Sequence, residues 1–249
     1  MKRVIIPVMI VSAVTLLMSP MAAIARSPQR ESRPQTTPYM LAKKASGGAG
    51  QGTGRRSGGC PPLPEELLLT ALVPQEEGAV IGRTLSEQPT LWFYVPYTNA
   101  TKIPARFSLQ TSQEQSVHSM LVSLPSTNGI IGVQLPASVK LPMNQPYRWT
   151  LQLECTRPAI TVWGWVERVP PPAGLNAAAS LPTPQRAAAL MQNGLWLDAL
   201  TVLGNARLAN PNDSSLNQAW TQLFNQTTFD LNTANQGRLP EIIQQPLVK

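Results

Sequence analysis

One imidazole, His118, is present in the 249 residues. Histidine is the side chain most often used for proton transfer near neutral pH, so an enzymatic reading of this chain has to begin there. The stretch Thr111-Ser112-Gln113-Glu114-Gln115-Ser116-Val117-His118 puts two serine hydroxyls and a carboxylate close to it in sequence. A nucleophile, a base and an orienting acid must converge in space, and adjacency along the chain does not supply that. His118 also shares strand parity with Met120, Val122 and Leu124, which places it at the margin of a core face. A paired-carboxylate hydrolase would need two converging acids. Many of the acids fall in Glu-Glu turn contexts, Glu65-Glu66 and Glu76-Glu77, that read as solvated. One histidine and two cysteines cannot complete a four-ligand structural zinc site, so no metal and no cofactor is expected. The glycine-rich run 47–59 fails as a phosphate loop. Ala49 stands where the first glycine belongs, Arg55 replaces the lysine, and no strand pattern precedes it.

The two cysteines, Cys60 and Cys155, form an even pair. In an oxidising compartment they are expected to bridge, and such a bridge constrains the unfolded chain by about 4–5 kcal/mol in the chain-entropy account. Two buried free thiols are the alternative. Seven aromatic residues cluster in the middle of the chain: Trp92, Phe93, Tyr94, Tyr97, Trp149, Trp163 and Trp165. Trp163 and Trp165 share one strand face, and an exposed pair of that kind would form a platform for a partner. Sheet core and packing against a neighbouring element are the plainer reading. Trp196 is a third candidate contact, on the helical part of the chain.

Charge is unevenly distributed. The formal charge is +7, but residues 26–59 hold seven basic residues against one acidic, and residues 60–249 hold eleven basic against twelve acidic. The basic character belongs to a segment rich in Pro, Ser, Gln and Gly, which lacks the apolar surface to fold. We read 26–59 as a disordered linker that is dispensable for folding. Lys43, Lys44, Arg55 and Arg56 are candidate contacts to a polyanion or anionic surface. Lys2-Arg3, the apolar run Val4–Met18 and Ala23-Ile24-Ala25 read as a secretory signal peptide over 1–25, with a retained anchor as the alternative. The mature chain holds no other apolar run long enough to span a membrane. Export makes nucleic acid an improbable partner.

The elements that carry these residues follow from periodicity. Over 60–169 the pattern has period two. Tyr147, Trp149, Leu151, Leu153 and Cys155 share one face, and Arg148, Thr150, Gln152 and Glu154 the other. Ala105, Phe107 and Leu109 alternate in the same way, as do Ile131, Val133 and Leu135. Further strands are predicted at 67–73, 90–97, 117–124 and 161–169. Seven short strands with Pro, Gly and Asn between them predict an antiparallel β-sandwich of immunoglobulin-like size. Pro170-Pro171-Pro172 ends it, and 170–183 reads as a linker. From Pro184 the pattern turns helical over 184–249. Ala187, Gly194, Ala199, Leu203, Ala206 and Pro211 are spaced as in one tetratricopeptide repeat, although Thr183 and Arg186 stand where Trp and Leu are expected. One repeat cannot bury its own face, so a third helix is predicted over 214–224, capped by Asp213 or Ser214. Its seam is Trp196, Leu197, Leu200, Leu203, Trp220, Leu223 and Phe224. The expected fold class is therefore mainly β with a C-terminal α part. The helical pair is either a packed cap or a groove for a partner.

Five sequence elements carry a family resemblance. They are Cys60-Pro61-Pro62 followed by Leu69-Thr70-Ala71-Leu72-Val73-Pro74; Pro89-Thr90-Leu91-Trp92-Phe93-Tyr94-Val95-Pro96-Tyr97; Tyr147-Arg148-Trp149 with Leu153 and Cys155; Val162–Val169 around Gly164-Trp165-Val166; and Gly194-Leu195-Trp196-Leu197-Asp198-Ala199-Leu200. Over most of 54–249 the chain resembles the family called domain of unknown function 928, exported proteins known mainly from cyanobacteria. The resemblance implies a periplasmic or outer-surface location and transfers no catalytic residue. The expected function is a non-enzymatic interaction protein of the cell envelope with a protein partner there. A sensor or regulatory partner of an envelope signalling protein is the first alternative, and a hydrolase working through His118 or a carboxylate pair the second.

Overall fold

The computed structural model describes residues 69–76, 79–96, 102–154, 159–225 and 242–247. The expected signal segment, the linker 26–59 and both cysteines, and with them the expected bridge, lie outside the described residues. The strands are β1 (Thr70–Ala71), β2 (Gln75–Glu76), β3 (Ala79–Thr84), β4 (Thr90–Val95), β5 (Ile103–Thr111), β6 (Ser116–Leu124), β7 (Gly129–Gln134), β8 (Pro146–Leu153), β9 (Thr161–Arg168) and β10 (Ile242–Leu247). After β9 come a 3₁₀ turn at Leu175–Ser180 and three helices, α1 (Thr183–Gln192), α2 (Trp196–Ala209) and α3 (Ser214–Asn225).

The alternation in β5 and β8 does what period two requires. Ile103, Ala105, Phe107 and Leu109 are buried, as are Tyr147, Trp149, Leu151 and Leu153, and the residues between them are partly or fully exposed. The strands form two sheets, ordered β1-β4-β7-β10 and β2-β3-β9-β8-β5-β6. Phe93 of β4 meets Trp149 of β8 edge to face, with ring centroids 5.4 Å apart, so the sheets face one another through these rings. A Cβ at Gly164, opposite Trp149 in the β8–β9 register, would lie 2.5 Å from that indole. The glycine in Gly164-Trp165 thus makes room for the largest side chain of the core.

The structure departs from an all-antiparallel arrangement. β3 runs parallel to β9, and β10 runs parallel to β7. Neither β3 nor β10 was expected. Gly82 sits inside β3, where a Cβ would strike Leu197 Cδ1 at 2.6 Å. The first expected strand shrinks to Thr70–Ala71.

β4 is buried on both faces. Leu91, Phe93 and Val95 share the face turned to the second sheet; Trp92 and Tyr94 share the other, where Trp92 lies beneath α2. The α1–α2 corner is a Schellman cap. Leu195 N–H donates to Leu190 O and Gly194 N–H to Met191 O, both at 2.9 Å, with Gly194 at φ +71°. At α3 the cap is Asp213. Its Oδ1 accepts the Ser215 and Leu216 amides at 2.8 and 3.2 Å. The expected seam is buried throughout, closed by edge-on contacts of Trp196 and Trp220 with Phe224. One hydrophobic cluster runs without a break from the sheets into the helices. Among the described residues no helix is long and apolar enough to cross a membrane.

Candidate functional site

Where α2 crosses the outer face of β4 and β7, a cleft of about 340 Å³ opens between the helices and the β3–β4 turn. Its position is set by Trp92. The indole edge lies between two glycines: a Cβ on Gly132 of β7 would stand 3.3 Å from it, and one on Gly204 of α2 only 2.6 Å. The indole N–H donates to Thr201 Oγ1 at 3.1 Å, and Thr201 in turn donates to Leu197 O at 2.7 Å. Helix and sheet are thus clamped at one end, and the space beside the clamp is the cleft.

The β3–β4 turn forms the opposite wall. Thr84 Oγ1 accepts the Ser86 amide and Ser86 Oγ the Gln88 amide, each at 3.1 Å, two hydroxyl-capped turns in succession. Glu87 is drawn to Arg168 at 3.1 Å and Lys140 at 3.5 Å. The cleft is left with hydroxyls and amides from Thr84, Ser86, Gln88, Thr90, Gln134, Thr201 and Asn205. Leu190, Val202 and Leu208 complete the wall, and Arg186 and Asp198 bring the charges.

Asp198 occupies the first turn of α2, where the helix N-terminus favours an anion. Its Oδ2 accepts the Leu85 amide at 3.0 Å, and the Thr84 hydroxyl donates to it as well. Burial nevertheless outweighs these bonds and the nearby Arg186 charge, and holds the Asp198 pKa above the usual aspartate value. Chemically the cleft offers many neutral donors and acceptors, one carboxyl of raised pKa and one guanidinium. Within the chain, the Thr84 hydroxyl already bonds Ser86 and Asp198, Thr201 bonds Trp92 and Leu197, and the Gln88 amide donates to Ala137 O. Among the described residues no group of three His, Cys, Asp or Glu is placed to hold a metal ion.

The residues singled out in the sequence are not gathered in this cleft. Trp163 is half-buried on the outer face of the larger sheet, with the Arg148 guanidinium 4.7 Å over its ring. Trp165 shares that face by parity but is only 8% exposed. Trp196 is 5% exposed and donates to Leu72 O at 2.7 Å, so its indole is committed within the chain. Lys43, Lys44, Arg55 and Arg56 lie outside the described residues. His118 is half-buried on β6, paired across the sheet with Leu109, and no hydrogen bond joins it to Ser112, Glu114 or Ser116.

A family model described as Domain of Unknown Function (DUF928) matches residues 51–238. The chain belongs to this family. No curated protein matches it. The DUF928 region contains every residue that lines the cleft, from Thr84 to Leu208. Sequence reasoning passed over these residues because hydroxyls and amides scattered from Thr84 to Asn205 show no spacing. The one local signal was Asp198, an acid in the first helical turn after Gly194, and it could equally have been a solvated helix-start residue.

Proposed function

We propose that the protein is an exported, non-enzymatic interaction protein of the cell envelope, in the periplasm or at the outer surface, and that the cleft beside Trp92 receives a polar segment of its partner. The observation that carries this reading is the lining of the cleft. Seven neutral hydroxyl and amide side chains line a space of about 340 Å³, large enough for a few residues of extended chain. Neutral hydrogen-bonding groups suit the alternating donors and acceptors of a peptide backbone better than they suit a charged ligand. The charged n-region, apolar run and Ala-Ile-Ala triplet support export, and the basic residues of 26–59 would add salt-sensitive attraction to an anionic surface.

The edge-to-face contact of Phe93 and Trp149 between the two sheets supports a sandwich of immunoglobulin-like size, although its two parallel pairings depart from that family of folds. Ala187 and Ala199, at 1% and 0% exposure, support a tetratricopeptide-like crossing of α1 and α2. A second reading, a regulatory partner of an envelope signalling protein, draws on Asp198. A carboxyl of raised pKa in a binding cleft would couple occupancy to pH.

The test is isolation of the tagged exported protein from envelope extracts, with and without Asn205→Trp. Asn205 is exposed on α2, so the indole fills the cleft without disturbing the core. The expected result is one dominant partner with the unmodified protein and its loss with the variant. Equal recovery of the partner by both proteins would refute the cleft as the binding site.

A further inference from the structure

The outer face of the larger sheet carries three arginines, and two of them have a carboxylate. Arg106 pairs with Glu154 at 2.7 Å, and Arg83 lies opposite Glu167 in the β3–β9 register and favours its charge. Arg148 is different. Among the described residues no carboxylate stands within ion-pair distance of it and no acceptor reaches its guanidinium; its Nε is buried without a partner. What holds it is Trp163, with the Arg148 Cζ 4.7 Å from the ring centroid. An indole face attracts a cation but takes up none of the strong hydrogen bonds that the guanidinium can donate. The contact therefore fixes Arg148 in place and leaves its terminal N–H groups to a ligand. Fixing the fork beforehand lowers the entropy lost when an anion binds it.

The side chains around this pair are neutral and hydrogen-bonding. Gln110 of β5 lies opposite Arg148, and Thr150 of β8 lies opposite Trp163. Ser108 and Ser119 continue the Thr150 row across β5 and β6. With strands about 4.8 Å apart, those three hydroxyls span about 10 Å. Gln110, Thr150 and Ser108 are partly exposed and Ser119 is exposed. β5 and β8 are interior strands, each paired on both sides, so a peptide finds no open backbone here to pair with. Sugar hydroxyls, each both donor and acceptor, match a face of side-chain hydroxyls and amides.

We propose that this face binds a carboxylate-bearing glycan, with one carboxylate in the Arg148 fork and neighbouring sugar hydroxyls on Gln110, Thr150 and Ser108. Charge complementarity selects an acidic glycan. The hydroxyl row alone suits a neutral sugar, and Arg148 adds a cation with no counter-charge among the described residues. None of these residues lines the cleft beside Trp92, so this is a second site and the two can be filled together.

Calorimetric titration of the exported chain with a galacturonate hexamer at physiological ionic strength tests this. The basic residues of 26–59 attract polyanions of any kind, so the hexamer is compared with its methyl ester and with a glutamate hexamer. The galacturonate hexamer is expected to bind, and its methyl ester to bind about tenfold more weakly or worse. Arg148→Gln, with circular dichroism unchanged, is expected to lose the same factor for the acid and nothing for the ester. The glutamate hexamer should be indifferent to Arg148→Gln. No binding of the galacturonate hexamer, equal binding of acid and ester, or acid binding unchanged by Arg148→Gln would each overturn the proposal. A glutamate hexamer that binds as tightly as the glycan and depends equally on Arg148 would overturn it in favour of an acidic peptide. The comparison of acid with ester needs no variant, so it decides even where Arg148→Gln fails to fold.

Discussion

Three buried tryptophans share a chemistry but differ in what their N–H groups do, and that difference is measurable. Trp196 donates to Leu72 O, whereas the indole nitrogens of Trp149 and Trp220 are buried without a partner. Replacement by phenylalanine loses packing volume at each site, but only Trp196→Phe also strands a buried carbonyl. Chemical denaturation should therefore show Trp196→Phe costing about 1–3 kcal/mol more than Trp149→Phe. Equal costs would mean the Trp196 bond contributes nothing. Asp198 gives a second test. Its native pKa lies above the ordinary value of 3.8, so the native state holds the proton to higher pH than the unfolded chain does. The associated stability is fully present below the ordinary value and is lost as pH rises through the native one. Asp198→Asn keeps an acceptor for the Leu85 amide and removes that loss. Its stability relative to the unmodified protein should rise with pH across this window, and Asp198→Ala should fall about 1–3 kcal/mol below it at every pH. A relative stability of Asp198→Asn that falls as pH rises would contradict the burial argument.

At the scale of elements, Gly204 sets two rules against each other. Alanine in a helix interior is favoured over glycine by about 1 kcal/mol. A Cβ at Gly204 would stand 2.6 Å from the Trp92 ring, and crowding of that kind costs about 1–3 kcal/mol. Gly204→Ala should destabilise on balance, and the penalty should vanish in a Trp92→Leu background. A stabilising Gly204→Ala would show that the helix moves away freely. The same contrast explains what could be read from the sequence. β5, β8 and α3 were legible because one face of each is buried and the other wet, so burial left a period in the residue order. The Asp213 cap was legible because capping is local. β3 was not, because Gly82 answers to Leu197, more than a hundred residues later. The parallel pairing of β10 with β7 joins segments equally remote in the chain. The cleft was illegible for the same reason: Thr84, Gln134 and Asn205 meet only when α2 crosses β4 and β7.

At the scale of the whole molecule, the sequence divides at the proline run 170–172, but the packing does not. Trp196 bonds to the loop after β1, Thr201 to Trp92, and Asp198 to the end of β3, so α2 is held at three points by the sheets. The helices accordingly position one wall of the cleft, and their tie to the sheets fixes its width. The aromatic residues that drew attention in the sequence mostly serve this joint: Trp92 clamps it, Trp196 seals it, and Trp149 fills the space behind it. What remains most accessible in the lining is Gln134, Arg186 and Asn205, and the account stands or falls on whether a partner touches it. A photo-reactive amino acid placed at Asn205 in the cleft, and separately at Gln152 on the outer face of the larger sheet, reads this directly in intact cells. Position 205 is expected to give one discrete cross-linked envelope protein and position 152 none. Cross-linking confined to position 152, or absent from position 205 in folded, exported protein, would contradict the assignment of the cleft as the partner's seat.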